Sequence, residues 1–174
     1  MPNRRPVSIE LHHEIEQFLY REARMLDSEQ QREWLEIMVD PQIHYQMVIR
    51  EERFRKDRGA AAVKEVMPYD DDYRSLDLRV RQFETGLQTA LDPAPRMRRL
   101  VTNVEAYHHE NDGEYLVLSN GITSRCRRLY EHDQAVFGRE DVLRRDENGE
   151  LRLLSRRIDF DQRVVQSKNL LFFF

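Results

Sequence analysis

The chain has 174 residues, 40% hydrophobic and 34% charged, with a formal net charge of −4. That length suits one domain, residues 1–174, able to bury its own core, and a mean hydropathy of −0.79 describes a heavily charged, soluble surface rather than a disordered or membrane-embedded chain. The acidic balance argues against nucleic acid or an anionic membrane as partner, and Cys126, the single cysteine, allows no internal disulfide.

The start MPNRRPVSIE lacks the apolar run of a secretory signal, so a cytoplasmic location is expected. Leu11, Ile15, Phe18, Leu19, Met25 and Leu26 then recur at helical spacing and predict an amphipathic helix over 11–26. Ser28 with Gln31 reads as a capping box for a short second helix striped by Trp34, Leu35 and Met38, which Asp40-Pro41 is expected to stop. After the proline the period changes to two: Ile43, Tyr45, Met47 and Ile49 alternate with His44, Gln46, Val48 and Arg50, a half-buried strand. The segment 51–68 keeps no period and reads as a long surface excursion. Asp70, Asp71 and Asp72 suit the start of a third helix, where carboxylates meet the positive end of the dipole. Leu76, Val80, Phe83, Leu87 and Leu91 give that helix one apolar stripe, and Asp92-Pro93-Ala94-Pro95 ends it.

From Arg98 the pattern is β. Leu100, Val104 and Ala106 alternate, and Asp112-Gly113 marks a hairpin turn into Tyr115–Leu118. A third run, broken or bent, extends from about Ile122 through Val136 and Val142. Asn148-Gly149 turns into a last strand from Leu151 to Val165, with Leu154, Ile158, Phe160 and Val164 on one face. Helices followed by antiparallel hairpins predict an α+β domain in which N-terminal helices fill the inside of a curved, mostly antiparallel sheet, a cone-shaped layout that by itself decides nothing about activity.

Residues able to carry chemistry are sparse. A Rieske cluster needs paired cysteines and histidines, which one cysteine excludes. The histidines His12, His13, His44, His108, His109 and His132, with Asp40, Glu110 and Asp133 near them, show no spacing that converges on a mononuclear metal, so no metal site is expected. Asp40, His44, Tyr45 and Tyr69 are the candidates for acid–base work in a cone-fold pocket. Without such a role Tyr45 reads as core, His44 as lying on the polar face of its strand, and Asp40 as a turn residue before a proline. Six glycines supply no phosphate loop or dinucleotide turn, and no catalytic or cofactor-binding residue is assigned. The arginines Arg98, Arg99, Arg125, Arg127, Arg128, Arg144, Arg145, Arg156 and Arg157 lie among acidic residues and read as ion pairs.

Leu100-Val101-Thr102-Asn103-Val104, Gly138-Arg139-Glu140-Asp141-Val142-Leu143-Arg144-Arg145 and Arg156-Arg157-Ile158 resemble the β subunits of aromatic-ring-hydroxylating dioxygenases. So does the ending Ser167-Lys168-Asn169-Leu170-Leu171-Phe172-Phe173-Phe174, which is similar to that family's K-N-L-x-x-F-F. Upstream, Trp34, Asp40 and Tyr45 fit the family's helix-to-strand segment, while Asp92-Pro93-Ala94-Pro95 and the third terminal phenylalanine depart from its pattern. The resemblance implies a cone-shaped NTF2-like/SnoaL-like fold. It also implies a non-catalytic structural subunit in an α3β3 hexamer with β–β contacts. The α partner would carry the Rieske [2Fe-2S] cluster and mononuclear Fe(II), fed with electrons from NAD(P)H through a reductase and ferredoxin, to convert arenes to cis-dihydrodiols with O2. A stand-alone cone-fold dehydratase or isomerase, or a small-ligand binding protein, is the alternative. Three phenylalanines left in water would cost several kcal/mol. The expectation is therefore that Arg139, Arg157, Asn169, Leu170, Phe172, Phe173 and Phe174 lie at a subunit interface, the alternative being that the tail tucks into its own core.

Overall fold

The computed structural model describes residues 4–50, 65–86, 93–162 and 172–174. Its elements run α1 (Ile9–Asp27), α2 (Gln31–Met38), β1 (Val39–Arg50), β2 (Glu65–Asp71), α3 (Tyr73–Glu84), β3 (Arg96–His108), β4 (Glu114–Arg127), β5 (Glu131–Arg145) and β6 (Leu151–Phe160). The strands form one six-stranded sheet in the order β2-β1-β6-β5-β4-β3. Every neighbouring pair is antiparallel except β1 and β6, which run parallel and so join the first half of the chain to the last strand.

Helix α1 starts where the Ser8 side chain accepts a hydrogen bond from the Leu11 amide, and it lays its apolar stripe against β3. Ser28 closes α1 instead of opening α2: its amide donates to the carbonyls of Arg24 and Met25, and Glu29 takes a left-handed φ of 60°. The expected capping box is therefore corrected. The N-cap of α2 is Gln30, without a side-chain hydrogen bond, and burial of Trp34, Leu35 and Met38 holds the helix instead. Asp40-Pro41 does not interrupt the chain but lies inside β1, in a stretch where pairing with β6 is irregular between Val39 and His44 and no ladder donor is needed from the proline. The expected surface excursion is corrected in its last part, since residues from Glu65 pair with β1 as β2. The rest of it, like Leu87, Leu91 and Val164, lies outside the described residues. Asp72 caps α3 by accepting from the Ser75 amide, as the aspartate run predicts.

The β half is three long hairpins. Gly113 (φ 77°) and Gly149 (φ 82°) form the two turns that the Asp-Gly and Asn-Gly pairs signal. The third turn, between β4 and β5, contains no glycine: Arg128 takes φ 58° there, which is why the sequence reads through it. Between Val142 and Leu143 the β5–β6 register slips, leaving Leu154 unpaired in the ladder. This bulge changes phase, so Leu151 and Leu153, then Arg156, Ile158 and Phe160, face inward, and Leu154 does not share their face as the alternation suggested. The inner face of the sheet and the three helices enclose the core around Ile15, Leu19, Trp34, Leu35, Tyr45, Leu76 and Leu153. Backbone hydrogen bonds of Val7 and His108 with Ala106 and Arg5 place the N-terminal segment beside the β3 edge.

Candidate functional site

The inner face of an antiparallel sheet should carry apolar side chains at alternate positions, yet β5 and β6 present Arg139, Asp141 and Arg156 inward. Opposite them, α1 places Glu22 within its apolar stripe at 1% exposure. Arg156, completely buried, uses all five of its donors. Nε and Nη2 donate to the two oxygens of Asp141 at 2.8 and 2.9 Å, Nη1 and Nη2 to the two oxygens of Glu22 at 2.9 and 2.7 Å, and Nη1 also to the main-chain oxygen of Phe174 at 2.8 Å. The Trp34 indole N–H completes Glu22 at 3.0 Å. Arg139 sits 3.6 Å from Glu22 and 3.0 Å from Asp141, but its Nε is out of line for a hydrogen bond. It therefore balances charge rather than hydrogen bonding, so that two guanidinium groups face two side-chain carboxylates.

Burial alone would raise the pKa of Glu22. The charges of Arg156 and Arg139, with hydrogen bonds from Arg156 and Trp34, outweigh it and hold the carboxyl below its ordinary value. Burial works to lower Arg156, yet Asp141 and Glu22 hold it well above the usual guanidinium value. Burial and the neighbouring Arg156 charge push Arg139 down. Such a compensated network is stable only while every member is present.

The chain's own tail completes this interior. Tyr45 accepts from the Phe174 amide at 2.9 Å and its hydroxyl lies 3.3 Å from the Phe174 main-chain oxygen. Arg99 donates to the main-chain oxygen of Phe173 from Nε (3.1 Å) and Nη2 (2.6 Å), while its Nη1 pairs with Asp27 at 2.7 Å. Tyr69 donates to the oxygen of Phe172 at 3.1 Å. The Phe173 ring lies 4.7 Å from Trp34 and meets Tyr45 and Phe83 edge-on. Body side chains thus recognise the tail's main chain, and aromatic pockets take its rings.

Of the residues expected at an interface, Arg139, Phe173 and Phe174 are buried within this chain's own fold, at 7%, 2% and 1% exposure. Phe172 is half-buried beside them. Arg157 sits on the opposite face from Arg156, in register with Gln46 and Glu140. Asn169 and Leu170 lie outside the described residues.

The acid–base candidates do not converge. His44 is exposed and pairs with Asp70 at 2.8 Å. Asp40 accepts from the Gln42 amide at the far end of β1, 3.5 Å from Arg144. Tyr45 and Tyr69 face inward, and desolvation raises both phenol pKa values, so they stay protonated as donors to the tail. Among the described residues no three His, Cys, Asp or Glu side chains are grouped as metal ligands. His12 and His13 pair with Glu16, His109 reaches Glu114, and His132 contacts Cys126. A cavity of about 550 Å³ opens beside the tail between α2, α3 and β3, walled by Leu26, Val80, Phe83, Met97 and Phe173, with Arg32 tied to Glu84 and Asp77 at its rim.

Sequence reasoning missed Glu22, Asp141 and Arg156 as a unit. The available signal was a carboxylate inside the stripe formed by Ile15, Phe18, Leu19 and Leu26, together with charges at inward positions of two strands.

Comparison with known proteins adds a family to this geometry. The profile described as "Ring hydroxylating beta subunit" matches residues 21–167. The chain is 35% identical over 172 residues to the benzene 1,2-dioxygenase subunit beta of Pseudomonas putida, covering 97% of this chain and 91% of that protein. It is 35% identical over 173 residues to the biphenyl 2,3-dioxygenase subunit beta of Rhodococcus jostii, with the same coverage of 97% and 91%. A chain of naphthalene 1,2-dioxygenase, solved with indole bound in the active site, superposes with a TM-score of 0.90 at 31% identity, covering 97% of this chain and 88% of that one. An NTF2-like protein with a cystatin-like fold from Novosphingobium aromaticivorans shares the fold alone, with a TM-score of 0.53 at 13% identity over 92% of this chain and 88% of its own.

Proposed function

This chain belongs to the family of ring-hydroxylating dioxygenase β subunits, and from that membership we propose that it is the non-catalytic structural subunit of a multicomponent aromatic-ring-hydroxylating dioxygenase. Residues 1–174 act as one domain in the cytoplasm, bound to a catalytic α subunit in an α3β3 hexamer. The α subunit holds the Rieske [2Fe-2S] cluster and the mononuclear Fe(II); the single cysteine of this chain cannot supply the paired thiolates that a Rieske cluster needs. Electrons pass from NAD(P)H through reductase and ferredoxin to that partner, which adds O2 to an arene to give a cis-dihydrodiol.

The observation that carries the non-catalytic reading is the commitment of the cone interior. Arg156 satisfies Glu22 and Asp141 while Arg139 balances their charge, and Tyr45, Tyr69 and Arg99 are bonded to the tail, so these ionisable groups of the interior are engaged within the chain. The outer face of the sheet is the proposed meeting place with other subunits. Leu100, Ile122 and Val136 lie side by side across β3, β4 and β5, with Leu100 53% and Val136 40% exposed, and Arg157 lies on the same face two strands away from β4. Phe172, Asn169 and Leu170 are kept as proposed contacts near the tail.

Reconstitution tests the reading. Arene turnover with NAD(P)H, reductase, ferredoxin and a Rieske oxygenase chain should require this chain as partner, and this chain alone should turn over nothing. Conversion of an arene or of any hydratable substrate by the purified chain would overturn it.

A further inference from the structure

The space that holds the Phe174 ring has the make-up of a binding site for a small aromatic molecule. Four rings surround it, with centroids at 4.9 Å (Phe172), 5.2 Å (Phe137), 5.9 Å (Phe160) and 6.3 Å (Tyr69). The last three stand at interplanar angles of 84°, 74° and 86° to it, edge-to-face arrangements in which the positive edge of one ring meets the negative face of another. That electrostatic pattern suits an aromatic occupant better than an aliphatic one of equal size.

Three of these walls belong to the body of the fold. Phe137 and Phe160 are directly paired across β5 and β6. Phe137 lies over Gly121, where a Cβ would strike its ring, so the bare backbone of β4 forms the floor behind it. Tyr69 is held edge-on against Tyr45 and covered by the Arg79 guanidinium, 4.3 Å from its centroid. The polar groups that anchor Phe174, namely Tyr45 and Arg156, act on its main chain and not on its ring. Removing the ring therefore leaves the anchors in place beside a void walled by the rings of Phe137, Phe160 and Tyr69, and a cavity with mostly apolar walls favours benzene over water.

We propose that the cone interior is an arene-binding site whose native occupant is this chain's own Phe174 ring, and that neutral monocyclic arenes bind there when the ring is removed. The inference stands independently of the assembly with an α subunit. Its test is Phe174→Ala in the full chain, melted with and without benzene, with cyclohexane as the non-aromatic comparator and the unaltered chain as control. Benzene at roughly ten times its Kd should raise the variant's Tm by about 3–6 °C. Cyclohexane should raise it by less than half as much, and neither should shift the unaltered chain. An equal shift with cyclohexane overturns the aromatic character of the site, and an equal benzene shift in the unaltered chain overturns its location. Where the alanine chain does not stay folded, benzene should restore its near-ultraviolet circular dichroism, and Phe174→Leu should show a smaller benzene shift. Absence of both overturns the proposal.

Discussion

Replacing Arg156 by methionine keeps most of its length and removes the charge on which the interior converges. Five donated hydrogen bonds disappear, and the four-charge balance becomes one guanidinium, Arg139, against Glu22 and Asp141 in a region with almost no solvent. Breaking a buried pair from one side costs about 3–5 kcal/mol, because the partner left behind stays buried and uncompensated. For a chain of this size that is a fall in Tm of about 6–20 °C. The loss should depend on pH in a defined direction. In the native chain Glu22 is held below its ordinary value of 4.5, so its contribution is present above that value and is lost as pH falls through the lower folded one. In the variant the desolvation that already opposes ionisation is no longer outweighed, and the pKa rises above the ordinary value. The variant is then penalised most at neutral pH and recovers part of its deficit when the carboxyl takes up a proton. Thermal melts of both chains from about pH 7.5 down to about pH 4.5 should show the gap narrowing. A loss below about 1 kcal/mol at neutral pH, or a gap that does not change with pH, would refute the assignment of Arg156 as the charge that holds this core.

Trp34→Phe removes the indole donor to Glu22 while nearly preserving packing on Phe173, and chemical denaturation should show a loss of about 1–3 kcal/mol. Gly121→Ala drives a methyl into the Phe137 ring and so into the space of Phe174; equilibrium unfolding should show a loss of about 1–3 kcal/mol from overpacking, relieved in combination with Phe174→Ala. Arg99→Met frees the main-chain oxygen of Phe173 and leaves Asp27 buried, so hydrogen exchange at the Phe174 amide should quicken more than at amides of β4 and β5. Val136→Glu puts a charge into the outer apolar row, and the chain should fold as before but co-purify less with an oxygenase α chain.

How much of this was legible depended on how local the cause was. The stripe of α1, the aspartate cap of α3 and the turns at Gly113 and Gly149 follow from spacings of a few residues, and all appear where the sequence put them. The β4–β5 turn was hidden because Arg128 adopts a left-handed conformation that glycine or asparagine would have advertised. The facing of β6 was misread because one unpaired residue reverses the alternation, and nothing in Leu151–Phe160 marks the slip. The interior network draws Glu22, Asp141 and Arg156 from opposite ends of the chain, so no motif could join them. The tail was the subtlest case. Its hydrophobic cost was readable, but whether another subunit or its own core removes that cost depends on the tyrosines and arginines that receive its main chain. In this fold Phe173 and Phe174 are buried against those groups of their own chain.

The central claim is that this fold is completed internally but functions only as part of a larger oxygenase. Its most direct test is the mass in solution, by light scattering on a sizing column, of this chain co-expressed with a Rieske oxygenase α chain. The account predicts a single species containing the two chains in equal amounts, with three copies of each. Recovery of this chain only by itself, with the α chain eluting separately and hydroxylating arenes undiminished, would contradict it.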